Sequence, residues 1–140
     1  GKVRDIAVLP GKEAAVLKFA GNPAGKPVFA SVPSHMDVHG CRREYANTMY
    51  HTYQEKLRKT EGRDFRNLPP IWELRPVQKP DGSYLKYPDG RRVKSWQLVS
   101  SYYRCKNDRK GVSYDKKVML YVSRQLGHNR ISVIAGHYLN

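Results

Sequence analysis

Residues 122–140 read VSRQLGHNRISVIAGHYLN, and the rest of the chain is read outward from them. Val122 and Leu126 continue an apolar helical face that begins at Val118, with Tyr121 as the alternative inward residue, and Gly127 suits the left-handed exit of that helix. The Gly127–His128 corner then lifts an imidazole at a helix end. Asn129 can cap one more short helix through RISVIAGHYL, with Ile131, Ile134 and Leu139 inward and Tyr138 near its end. A phenol so close to a fixed imidazole has two readings, core filling or nucleophile.

Upstream, Ser113 is expected to cap the helix YDKKVMLYVSRQL. Before it, residues 79–105 (KPDGSYLKYPDGRRVKSWQLVSSYYRC) carry Pro-Asp-Gly twice, at 80–82 and 88–90. Each triplet fits a turn with Pro and Gly at useful positions, so the runs Tyr84–Tyr87 and Val93–Tyr103 predict a small antiparallel ribbon. Lys79, Lys86, Arg91, Arg92, Lys94 and Arg104 alternate there with Tyr84, Tyr87, Trp96, Tyr102 and Tyr103. Cations among aromatics suit a phosphate backbone and exposed bases; equally, the aromatics could pack on their own sheet while the cations are solvated.

The longest helix is expected in SHMDVHGCRREYANTMYHTYQEKLRK (34–59). Asp37 can cap it, and Val38, Cys41, Tyr45, Met49, Tyr53 and Leu57 recur every three or four residues as a core-facing stripe. His39 and Arg42 form an i,i+3 pair at its edge, able to point into one site or to serve as a carbonyl-bound His beside a solvated Arg. Nearer the start, Val3, Ile6, Val8 and Leu9 predict a strand closed by Pro10-Gly11. KEAAVLKFA (12–20) predicts a helix stopped by Gly21, and GNPAGKP a loop.

The chain of 140 residues has the size of one domain. Its 26 Lys and Arg against 12 Asp and Glu give a formal net charge of +14, a field that concentrates polyanions and makes nucleic acid the expected partner. No apolar run reaches the roughly 20 residues of a spanning helix. A membrane is therefore not an expected partner, and the chain reads as intracellular and cytoplasmic. Cys41 and Cys105 lie far apart without a CxxC pair, which predicts reduced thiols rather than a zinc site or disulfide framework.

Two stretches, DVHGCRREYA (37–46) and VSRQLGHNRISVIAGHYL (122–139), place His39-x-x-Arg42, then Leu126-Gly127-His128, then Tyr138 in order. That order resembles the C-terminal part of the catalytic domain of the tyrosine recombinases, the phage and transposon integrase family. The opening GKVRDIAVL is similar to the strand after the family's lysine hairpin, with Lys2 matching the second lysine. The resemblance implies site-specific DNA recombination through a 3′-phosphotyrosyl intermediate. Tyr138 would be the nucleophile and Arg42 one of two arginines gripping the phosphate. His39 would be the proton acceptor or donor, and His128 the phosphate hydrogen-bond donor. It implies double-stranded DNA as the partner, self-association on that DNA, a bacterial or phage origin, no cofactor and no metal. Lys2, Arg43, Lys86, Arg91, Arg92, Lys94 and Arg130 are the candidate DNA-binding cations.

The chain departs from the family pattern in three ways. The 38 residues before His39 hold no place for the first arginine, so the resemblance puts that arginine and the catalytic lysine ahead of Gly1 and predicts that the chain alone does not cleave DNA. The stretch between Arg42 and Leu126 is long, which predicts an insertion at about 60–108. Tyr138 falls one residue late, with His137 in the expected place; Gly136 could loosen the helix and absorb the shift. The expected fold is a mainly helical α+β domain, residues 1–140 forming one unit around the inserted ribbon. The alternative is a non-enzymatic basic nucleic-acid-binding module in which His39, Arg42, His128 and Tyr138 are core and capping residues. A type IB topoisomerase-like enzyme would share the chemistry without choosing a site.

Overall fold

The computed structural model describes residues 6–20, 33–128 and 130–139, so Lys2 lies outside it. Among them the chain is an α+β protein of helices and two small antiparallel sheets. It divides into two compact units, one formed by the chain up to Arg63 together with the chain from Lys116, the other by Asp64–Asp115.

The first unit holds α1 (Glu13–Ala20), α2 (Val38–Glu61), α3 (Lys116–Gln125) and α4 (Ile131–His137). Asp37 caps α2 as expected, its Oδ1 accepting from the Gly40 amide at 2.7 Å, which satisfies one of the first-turn donors. The apolar stripe on α2 is only half a core: Val38 and Cys41 are exposed, whereas Ala46, Met49, Tyr50 and Leu57 are buried. α3 packs against both α2 and α4. Val118, Met119 and Val122 meet Ile134, Ala135 and Leu139 in the fully buried centre. Tyr53 of α2 stacks on Tyr121 of α3 with ring centroids 3.8 Å apart. Lys117 reaches Glu61 at 2.8 Å across the same helix pair.

Three local expectations change here. Ser113 belongs to a strand, and α3 begins at Lys116. The N-cap of α4 is Arg130, with no side-chain cap bond, rather than Asn129. Ile6–Leu9 forms no strand; Ala7 is held instead by side chains, its amide donating to Gln125 Oε1 at 2.6 Å and its carbonyl accepting from the Tyr45 hydroxyl at 2.8 Å.

The second unit is built on the hairpin β1 (Ile71–Pro76) and β2 (Lys94–Val99), in register from Ile71↔Val99 to Pro76↔Lys94. The partner of β2 is thus 71–76 and not Tyr84–Tyr87, which contributes only the isolated bridges Gln78↔Tyr84 and Lys86↔Arg92. A shorter hairpin pairs β3 (Tyr102–Arg104) with β4 (Ser113–Asp115). Leu68 is buried beside it, its amide donating to the Tyr102 hydroxyl at 2.9 Å.

Between β1 and β2 the backbone forms a three-cornered ring. The Val77 amide donates to the Val93 carbonyl, Val93 to Leu85, and Leu85 to Val77, each at 2.9 Å. The corners are eight residues apart, and the two arms between them repeat one design. Lys79–Ser83 and Tyr87–Arg91 each close a three-residue loop with Pro and Asp leading to Gly82 (φ 81) or Gly90 (φ 82). Asp81 and Asp89 accept from the amides two residues on, at 2.8 and 3.0 Å. These are type I turns followed by a left-handed residue. A Cβ at either glycine meets nothing within 4 Å, so the demand is conformational and not steric. Gly82→Ala or Gly90→Ala is expected to cost about 1–2 kcal/mol locally, seen as faster hydrogen exchange at the Val77, Leu85 and Val93 amides.

Candidate functional site

The first unit brings Arg42, His128 and Tyr138 together, each placed by the end or turn of a different helix. His128 is set by the exit of α3. Gly127 adopts φ 79 and its amide donates to the Arg124 carbonyl at 3.0 Å, while the His128 amide donates to the Ser123 carbonyl at 2.8 Å. This double closure is the Schellman arrangement, in which a left-handed glycine satisfies orphan carbonyls. Ser123, fully buried, returns its hydroxyl to the His128 carbonyl at 2.9 Å.

Arg42 lies one turn into α2. Its Nη2 donates to the Leu126 carbonyl at 2.9 Å, so a guanidinium sits where the α3 dipole is negative. Its Nε is buried with no hydrogen-bond partner among the described residues. Tyr138 follows α4 as its C-cap, its amide donating to the Ile134 carbonyl at 3.0 Å. The residue is 6% exposed, and its ring lies 5.7 Å from the His128 ring and 5.8 Å from the Arg42 guanidinium carbon.

His39 is exposed in the first turn of α2, and His137 is exposed at the end of α4. α4 runs unbroken through Gly136, so the expected loosening there does not occur. The helix ends at His137, and Tyr138, just past it with φ -125 and ψ -27, is the one of the two that lies beside Arg42 and His128. Arg43 and Arg130 are exposed on the first unit.

Asn47 was not singled out by sequence. Its Nδ2 donates to the Tyr138 carbonyl at 3.0 Å and to the Arg43 carbonyl at 3.1 Å, tying the chain's end to α2. The signal was an amide beside Ala46 on the inward side of an otherwise apolar run. Asn47→Ala is expected to destabilise the protein by about 1 kcal/mol, measured by denaturant unfolding, and to raise the accessibility of Tyr138 to iodination or nitration.

An open cleft of about 370 Å³ lies beside Arg42, lined also by Ile6, Tyr45, Gln125 and Leu126. Burial pushes the Tyr45 phenol above its usual value, with Tyr121 adding to the effect, so it stays the neutral donor that Ala7 requires. Chemically, the cluster offers a permanent cation and an imidazole next to a phenol.

In the second unit, the Arg92 guanidinium lies 4.2 Å from the Tyr84 ring centroid. Lys86 and Arg92 bridge the same arm, and Arg91 Nε is paired with Asp89 at 2.6 Å. Lys94 begins β2. Cys41 and Cys105 are free. Among the described residues no group of three or more His, Cys, Asp or Glu could hold a metal ion, and no helix is long and apolar enough to cross a membrane. No protein-family model, curated protein or solved structure matches the chain.

Proposed function

We propose that the first unit belongs to a DNA strand-cleaving and rejoining enzyme of the tyrosine recombinase type, acting site-specifically. The observation that carries the reading is the convergence of Arg42, His128 and Tyr138, residues distant in sequence, at a helix exit. In the proposed step the Tyr138 oxygen bonds to phosphorus while the bond to the 5′ oxygen breaks. The phenolic proton passes to a base and the leaving oxygen gains one, giving a 3′-phosphotyrosyl bond that a 5′ hydroxyl reverses. A phenol with a pKa near 10 is a weak nucleophile unless charge at phosphorus is stabilised. Arg42 supplies a guanidinium whose fork is matched to two oxygens. His39, an exposed i,i+3 neighbour of Arg42, would meet incoming DNA from the solvent side. Because Tyr138 is buried, attack requires the end of α4 to release the ring.

A second reading has its own observation. Arg42 bonded to the Leu126 carbonyl and a buried Tyr138 are what capping and packing residues of a non-enzymatic DNA-binding module would show. Covalent capture on a nicked duplex separates the two. The enzyme reading expects an acid-stable adduct that mass spectrometry maps to Tyr138. An acid-labile adduct on His137, or one on Tyr114 or Tyr121, sinks the assignment. Saturating DNA binding with no adduct, in a protein that also carries the upstream arginine and lysine, leaves the binding module.

A further inference from the structure

We infer that one face of the β1–β2 hairpin is a self-association surface, which a second copy of this chain covers face to face. Trp72 is 63% exposed, Leu74 50%, Trp96 66% and Leu98 57%. Alternation along each strand puts all four on the same face. Together they present roughly 500 Å² of apolar surface, near the upper end of the largest patch on an ordinary monomer. A lone two-stranded hairpin is marginal in water unless such a face is covered, and few residues of the second unit are buried.

The register indicates what fits there. Trp72 lies opposite Leu98 and Leu74 opposite Trp96, so the two indoles occupy one diagonal of the patch and the two leucines the other. Consider a second copy laid on this face by a two-fold axis in the plane of the ribbon, along the strands or across them. Either axis sets every indole over a leucine and every leucine over an indole. Large meets small at all four points, which is the condition for an isologous interface to interdigitate. The axis along the strands also sets Lys94 over the Pro76 position of the other copy, because those two residues pair in the hairpin. The two ammonium groups are thereby kept apart.

The area is well under the roughly 800 Å² per partner of a stable complex, so the dimer is weak, with a Kd on the order of 10⁻⁴ M. Each copy carries a formal charge of +14, so repulsion opposes contact at low ionic strength and screening relieves it. Self-association should therefore strengthen with salt. The surface lies outside the Tyr138 cluster, so the inference stands or falls independently of the strand-cleavage reading.

Trp72 and Trp96 are the two tryptophans of the chain, which makes their emission a report on this face alone. Sedimentation equilibrium and tryptophan emission are followed together from micromolar to millimolar protein, at about 0.1 and about 0.5 M salt. The expected result is a monomer–dimer equilibrium that tightens with salt, with a blue shift tracking the dimer. Leu74→Lys with Leu98→Lys keeps both indoles and should weaken the dimer by about tenfold or more, with unchanged far-ultraviolet dichroism. Should that pair disturb the strands, Leu98→Ala gives the same test with a smaller loss. A protein still monomeric at millimolar concentration in high salt overturns the inference. So does a dimer indifferent to the leucine substitutions, or indole quenching of the monomer by a single-stranded oligonucleotide, which would assign the face to bases.

Discussion

Tyr138→Phe is expected to abolish covalent capture of nicked DNA entirely while leaving noncovalent affinity unchanged. The substitution removes one oxygen and keeps the ring that packs beside His128 and Arg42, so folding should survive, as thermal unfolding would show. Retained capture would mean that another nucleophile operates, and His137, 6.4 Å from the Tyr138 ring, would be the first suspect. Acid lability then decides, because a phosphohistidine hydrolyses in acid and a phosphotyrosine persists. In the recombinase reading, capture also draws on a further arginine and a lysine beyond the cluster. Losing one charge-stabilising donor in a comparable site costs on the order of 10²–10³ in rate.

The second large effect is the salt dependence of DNA binding. With a formal charge of +14, contact with about six to ten phosphates would make affinity for duplex DNA fall by about 10³–10⁵ between roughly 50 and 200 mM salt. Fluorescence anisotropy across that range tests it, and an affinity that does not move would remove nucleic acid as the partner. Within the ribbon, Arg91 is already paired with Asp89 and should contribute least. Neutralising Lys86, Arg92 and Lys94 together is expected to lower the slope of log affinity against log salt by nearly 3, at about 0.9 per contact. An unchanged slope would make those cations structural. Point neutralisation is a cleaner probe than excising 80–94, which would remove two corners of the backbone ring and the first residue of β2.

What the sequence made legible were features decided within a few residues. Asp37 as a cap, Gly127 as an exit and the two Pro-Asp-Gly turns each follow from local backbone chemistry, and all are found. The inward orientation of Ile134 follows from helical period, whereas Leu139 is buried just past the helix end. Pairing over distance was not legible. β2 joins a partner that ends in Pro76, reached across both arms of the ring, and no local signal ranks that run above Tyr84–Tyr87. Ser113 resembles a helix cap, but backbone pairing of Tyr103 with Tyr114 draws its segment into a strand. Periodicity also names a face without saying whether anything covers it. Val38 and Cys41 continue the stripe of α2 into solvent, and Trp72 and Trp96 alternate outward. In the candidate site, Tyr138 and His128 could be named from sequence. Asn47 and Ser123 act through backbone carbonyls, a role for which residue type carries little information.

The three-cornered ring makes the tip of the ribbon modular. Each arm leaves and re-enters through a corner whose amide and carbonyl are already committed to the other two corners, so the turn it carries is bounded by fixed backbone on both sides. Eight residues is an even count, so adding or removing a whole unit keeps every strand residue on the face it occupied before. A foreign loop grafted between Lys79 and Ser83 would leave the Lys86–Arg92 arm and the β1–β2 register in place, making this tip a natural point for loop exchange.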